Sequence, residues 1–130
     1  MRAELLAFNP DPGRLGRLRF IGMRLGIPVK VFPVSQWGLT MGELWQAAPE
    51  ADEAPAEPPF PEEMLVMCGF SRAQVNSLLA AMKQAHLPPV DLKAILTPTN
   101  SGWPPLQLRN ELRREHEAMH GGGASAHPQA

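Results

Sequence analysis

Residues 64–75 read Met64-Leu65-Val66-Met67-Cys68-Gly69-Phe70-Ser71-Arg72-Ala73-Gln74-Val75, and their reading decides the fold. Five consecutive apolar residues are the length and composition of a buried strand. A glycine then turns the chain. Ser71 can accept from the backbone N–H of Gln74, whose side chain can reach back to Ser71, a capping box. Phe70 and Val75 occupy the two positions of a hydrophobic staple. Beyond them Val75, Leu78, Leu79 and Met82 recur at helical spacing until Pro88-Pro89 stops the helix. The segment is therefore a strand running directly into an amphipathic helix.

Outward from this unit, residues 90–97 alternate, with Val90, Leu92, Ala94 and Leu96 on one face and Asp91, Lys93, Ile95 and Thr97 on the other, which predicts a second strand. After the loop 98–102, Pro104 and Pro105 suit the first turn of a helix reaching about His120. Leu108, Leu112, His116 and Met119 are expected along its buried side.

The first half repeats the plan. Glu4–Phe8 is a short apolar run ended by Asn9-Pro10-Asp11-Pro12-Gly13 and reads as a strand. Leu15, Leu18, Gly22 and Leu25 recur at helical spacing, with Arg14, Arg17 and Arg24 opposite, and Gly26 can end the helix. A strand is expected at 29–34 and a brief helix at 40–47. Laid over the second half, Lys30 falls on Lys93 and Trp37 near Trp103, which reads as an internal duplication.

The predicted fold is α/β, a two-layer sandwich of about four strands with helices on one face, in a ferredoxin-like or related arrangement. The alternative is a mostly parallel sheet with helices on both faces. Residues 1–48 are expected to form the first unit and 62–120 the second, both within one domain. Between them, 49–61 holds five prolines among acidic residues and alanines and reads as an extended, poorly ordered linker. The glycine-rich residues 121–130 read as a disordered tail.

Composition narrows the setting. At 130 residues and 44% apolar the chain can bury one real core. Its one cysteine, Cys68, excludes an internal disulfide and suits a reducing compartment. No stretch approaches the ~20 apolar residues of a membrane span, and the run before Asn9 is too short for a signal-peptide core. A cytoplasmic protein away from the membrane is expected. Charge is unevenly placed: basic residues dominate 1–35, while 43–63 holds seven acidic residues and no basic one. The acidic stretch either lies against the basic half or leaves that half for a polyanion.

The string Lys93-Ala94-Ile95-Leu96-Thr97-Pro98-Thr99-Asn100 followed by Trp103, with Gly69-Phe70-Ser71 before it and 111–119 after it, resembles a bacterial family catalogued as domain of unknown function 3783. The resemblance spans about 64–119. It implies a small α/β domain, supplies no activity, and singles out Lys93, Thr97, Asn100 and Trp103 as the recurring pattern.

Three chemistries are in question. Lys93, Thr97, Asn100 and Trp103 sit where a strand passes through a polar loop into a helix, a common ligand position in α/β proteins. Asn100 and Thr99 can instead close the turn, and Lys93 can lie along a half-covered face. His116-Glu117-Ala118-Met119-His120 is a literal H-E-x-x-H, in which two histidines four apart could hold zinc and Glu117 activate water. The run Gly121-Gly122-Gly123 ends the helix at the second histidine, and the histidines of a last turn gain from the helix dipole without any metal. Arg14, Arg17 and Arg24 could grip phosphates, yet the chain has no glycine-rich phosphate loop, no tyrosine and few aromatics for base stacking. Cys68 reads as an inert core residue, and Trp45, next to the linker, as the tryptophan to meet a partner. No acid–base pair or activated nucleophile can be assembled, so the favoured reading is a non-catalytic binding or regulatory module with a protein partner. No cofactor and no nucleic acid are expected; a zinc hydrolase and a nucleic-acid binder are the alternatives.

Overall fold

The computed structural model describes residues 2–51, 56–90 and 92–121. Four strands form one sheet: β1 (Glu4–Phe8), β2 (Val29–Val31), β3 (Met64–Cys68) and β4 (Leu92–Ile95). Four α-helices accompany them, α1 (Pro12–Leu25), α2 (Met41–Gln46), α3 (Arg72–Gln84) and α4 (Pro105–Gly121), with 3-10 turns at Val34–Gln36 and Asn100–Gly102. The sheet order is β2-β1-β3-β4. The outer pairs β1–β2 and β3–β4 are parallel, and the central pair β1–β3 is antiparallel.

The fold is α/β with a mixed sheet, but the helices cover both faces. Leu5 and Ala7 of β1, with Leu65 and Met67 of β3, pack under Leu18 and Ile21 of α1 and Leu78 and Met82 of α3. The alternate residues Leu6, Phe8, Met64 and Val66 pack under Met41 and Leu44 of α2 and Leu108 of α4. The two-layer, one-face expectation is corrected to three layers. Its physical reason lies in the strands: every residue of β3 is buried, and a strand apolar on both faces needs cover on both. The ferredoxin-like order β-α-β-β-α-β is also corrected, because α2 stands between β2 and β3.

The two halves follow one order, strand, helix, strand, 3-10 turn, helix. Local geometry repeats at a spacing of 60 residues. Asn9 and Gly69 both turn at positive φ, as do Gly26 and His86. Asp11 and Ser71 both cap a helix by accepting from the residue three on. Ile27 N–H donates to Gly22 O at 2.7 Å and Leu87 N–H to Met82 O at 3.0 Å. The β1–β3 ladder pairs Glu4 with Cys68, Leu6 with Val66 and Phe8 with Met64, a register symmetric about Leu6 and Val66. Two crossovers of one hand stepping outward from antiparallel central strands place their helices on the same face, which is where α1 and α3 lie.

The register corrects one superposition. Lys30 pairs with Leu6 and Lys93 with Leu65, so the two lysines point to opposite faces, because a one-residue slip inverts a strand. Trp37 and Trp103 each follow a 3-10 turn and donate the backbone N–H back to the carbonyl of the turn's first residue.

Other expectations also shift at their ends. The second-half strand is shorter than 90–97, and Val90 belongs to the α1/α3 core while Leu92 belongs to the other. In α4 the buried stripe stops at Leu112; His116 is exposed and Met119 is 57% exposed. Phe60, inside the stretch taken as linker, is only 1% exposed and packs on Trp37, ring centroids 5.1 Å apart. The centre of that stretch, 52–55, and the tail 122–130 lie outside the described residues.

Candidate functional site

β4 is an edge strand, and its last turn is built by one amide. Leu96 N–H donates to Met67 O on β3. By strand parity Leu92, Ala94 and Leu96 direct their backbone groups inward, while Lys93, Ile95 and Thr97 direct theirs to the open edge. Asn100 covers the C-terminal part of that edge. Its Oδ1 accepts from Thr97 N–H at 2.8 Å and its Nδ2 donates to Ile95 O at 3.2 Å, the two bonds that a residue of a neighbouring parallel strand would make. Thr97 Oγ1 accepts in return from Asn100 N–H at 3.1 Å. Thr97 and Asn100 therefore bond each other and close the turn.

Buried Gln36 does the same in the first half. Its Nε2 donates to Ala48 O at 3.2 Å and its Oε1 accepts from Glu50 N–H at 2.9 Å. The sequence reading missed Gln36. Its signal is weak, an amide beside Ser35 in a short polar break between Val34 and Trp37.

Around Asn100 a groove of about 530 Å³ opens between β4 and α4. Lys93, Thr97, Asn100 and Trp103 all line it, with Glu111 and Glu115 on the α4 side. Lys93 is exposed and its Nζ donates to Val90 O at 2.9 Å. Trp103 is half-buried against the α2/α4 core, and its carbonyl accepts from Met41 N–H at 2.8 Å, tying the groove to α2.

The other candidates lie elsewhere. Glu117 accepts from Arg113 at 2.8 Å, and no cluster of three or more metal-ligating side chains forms among the described residues. The side chain of His120 lies outside the described residues. Arg14 pairs with Glu63 at 2.9 Å and also donates to Pro88 O, while Arg17 donates to Ala85 O. Both thus bind α1 to its surroundings. Trp45 is half-buried, donates to Arg2 O at 3.0 Å and lies against Gly69, where a Cβ would come within 2.5 Å of its ring. Lys30 reaches Trp45 O at 2.8 Å and Ala47 O at 2.6 Å, capping the end of α2, and pairs with Glu4 at 2.7 Å.

Two pKa shifts mark structure rather than chemistry. Bonds from Arg109, then a backbone N–H and Arg113, outweigh partial burial and lower the Glu62 carboxyl to about 2. Burial pushes the Cys68 thiol up to about 12, so it stays a neutral, unreactive core group. No helix among the described residues is long and apolar enough to cross a membrane.

Residues 63–119 match the family described as Domain of unknown function (DUF3783). The matched region contains β3, α3, β4 and most of α4, and so the whole groove. No curated protein and no solved structure matches the chain.

Proposed function

We propose that this protein is a non-catalytic, cytosolic binding module that takes an extended peptide segment along the open edge of β4. The observation that carries the reading is the outward-facing backbone of Lys93 and Ile95 beside the groove holding Trp103. An added strand gains affinity from main-chain bonds and specificity from a pocket taking alternate side chains. Asn100 limits the available edge to Lys93 and the Ile95 N–H, which fixes where such a peptide would start. Lys93 and Trp103 would contact it, with Thr97 and Asn100 shaping the turn. The zinc reading is not favoured, since Glu117 is engaged by Arg113. We also read the two halves as copies of one ancestral unit, supported by the geometry repeated at 60 residues.

The test is a backbone edit. Ile95→Pro removes an outward N–H, and an edge strand tolerates proline there without losing a ladder bond. Short peptides selected on the wild-type protein from a randomised display library should bind the variant about tenfold more weakly, the equivalent of one to two main-chain bonds. Undiminished binding by a variant that melts like wild type would remove strand addition from consideration.

A further inference from the structure

The layer formed by α1 and α3 carries Arg14, Arg17, Arg19, Arg24, Arg72 and Lys83 and not one Asp or Glu within either helix. Glu63 neutralises Arg14, and Arg19 turns inward to Val29 O at 3.0 Å. Between the helices lies a groove of about 610 Å³, walled by Phe20, Ile21 and Leu25 on one side and Ser77, Ala80 and Ala81 on the other. Phe20 is 56% exposed and Met23 71% exposed on the same helix. An apolar patch with a charged rim is the pattern of an interaction surface.

We infer that this groove docks an acidic amphipathic helix of a protein partner. Each part of the surface selects that occupant. The small residues Ser77, Ala80 and Ala81 let a third helix backbone approach closely. Phe20, with Ile21 and Leu25 beside it, offers an anchor for leucine-sized side chains at helical spacing. The cation lining the groove, Arg24 on α1, with Arg17 at its end donating to Ala85 O, favours carboxylates flanking that apolar stripe and repels basic helices. Arg24 lies 5.9 Å over the Phe20 ring, holding its charge at the rim of the groove.

Other occupants fit less well. A second copy docking through the same face would set cations against cations. The chain's own acidic stretch has its ends held on the opposite side of the sheet, Glu50 by Gln36 and Phe60 in the α2/α4 core. A bilayer surface would span the groove and leave it unfilled, and a phosphate backbone has no use for its apolar floor.

The probe is a synthetic helical peptide with leucines on one face and glutamates on the other, labelled for fluorescence anisotropy. It should bind the full chain, and more weakly as salt rises. Phe20→Ala, Arg24→Glu and Ala80→Glu should each weaken it about tenfold while melting curves stay near wild type, since all three side chains lie at the surface. Ile95→Pro should leave it unchanged, which separates this site from the β4 edge. Equal binding of a peptide of the same composition in scrambled order would overturn the inference. So would preferential binding to phosphatidylserine vesicles or duplex DNA, or indifference to the substitutions on either wall.

Discussion

Single side chains do much of the joining between elements that the backbone leaves apart. Gln36 and Asn100, the two buried polar residues among those described, each offer one amide to a carbonyl and an N–H two residues further on. Neither has to be a ligand group to be indispensable, because a buried amide left half-bonded costs about 1–3 kcal/mol. Glu62 is the ionic counterpart. It accepts from Arg109 at 2.9 and 3.0 Å and from Arg113, fixing α4 against the start of β3. Its carboxyl is lowered from 4.5 to about 2, so the folded state holds the proton less tightly than the unfolded chain. The stabilisation is therefore complete above pH ~4.5 and lost as pH falls from there toward 2. Glu62→Gln should lower the melting temperature at pH 7. That difference should shrink steadily below pH 4.5 in thermal melts and be nearly gone at pH 2. A difference constant across that range would place the stabilisation in packing instead.

At the scale of elements, the strands were the most legible part of the sequence. Residues 4–8 and 64–68 are strands end to end, and the Ser71–Gln74 capping box closes as its residue types require, at 2.8 and 3.1 Å. The unbroken apolar runs also imply cover on both faces, the alternative reading, against which the alternation at 90–97 argues for a half-exposed sheet. The candidate site was legible as a set of residues, all four meeting in one groove, but not as chemistry: nothing in Thr97-Pro98-Thr99-Asn100 says that its polar groups bond each other. The proline-rich connection was misjudged at Phe60, since composition averages away one aromatic among five prolines. That ring packs on Trp37, which in turn meets Phe8 edge-on at 5.3 Å and donates to Phe32 O at 3.1 Å, while Arg109 lies 5.7 Å over Phe60 from above. Phe60→Ala should cost about 3–5 kcal/mol, as for other buried aromatics, read from the denaturant midpoint. A connection acting only as a tether would show no change.

Taken whole, the molecule is one sheet between two helical layers of unlike charge. The helices α1 and α3 hold six cations and no carboxylate, whereas α2 and α4 together hold three arginines against four glutamates. Its centre is the symmetric β1–β3 ladder, five pairs about Leu6 and Val66. Removing β1 bares a β3 edge whose own sequence can supply the missing strand, Met64 opposite Cys68 and Val66 opposite itself. A fragment of residues 62–121 should therefore sediment as a dimer and hold its helical signal only as a dimer; a folded monomer would show that β3 needs no central partner. The full chain escapes that dependence. By carrying both halves on one backbone it converts a bimolecular association into an intramolecular one, so the sheet closes at any dilution, whereas a free half would obey mass action and fall apart as its concentration dropped. The ratio of the two halves is thereby fixed by the backbone, each β1 arriving with its own β3.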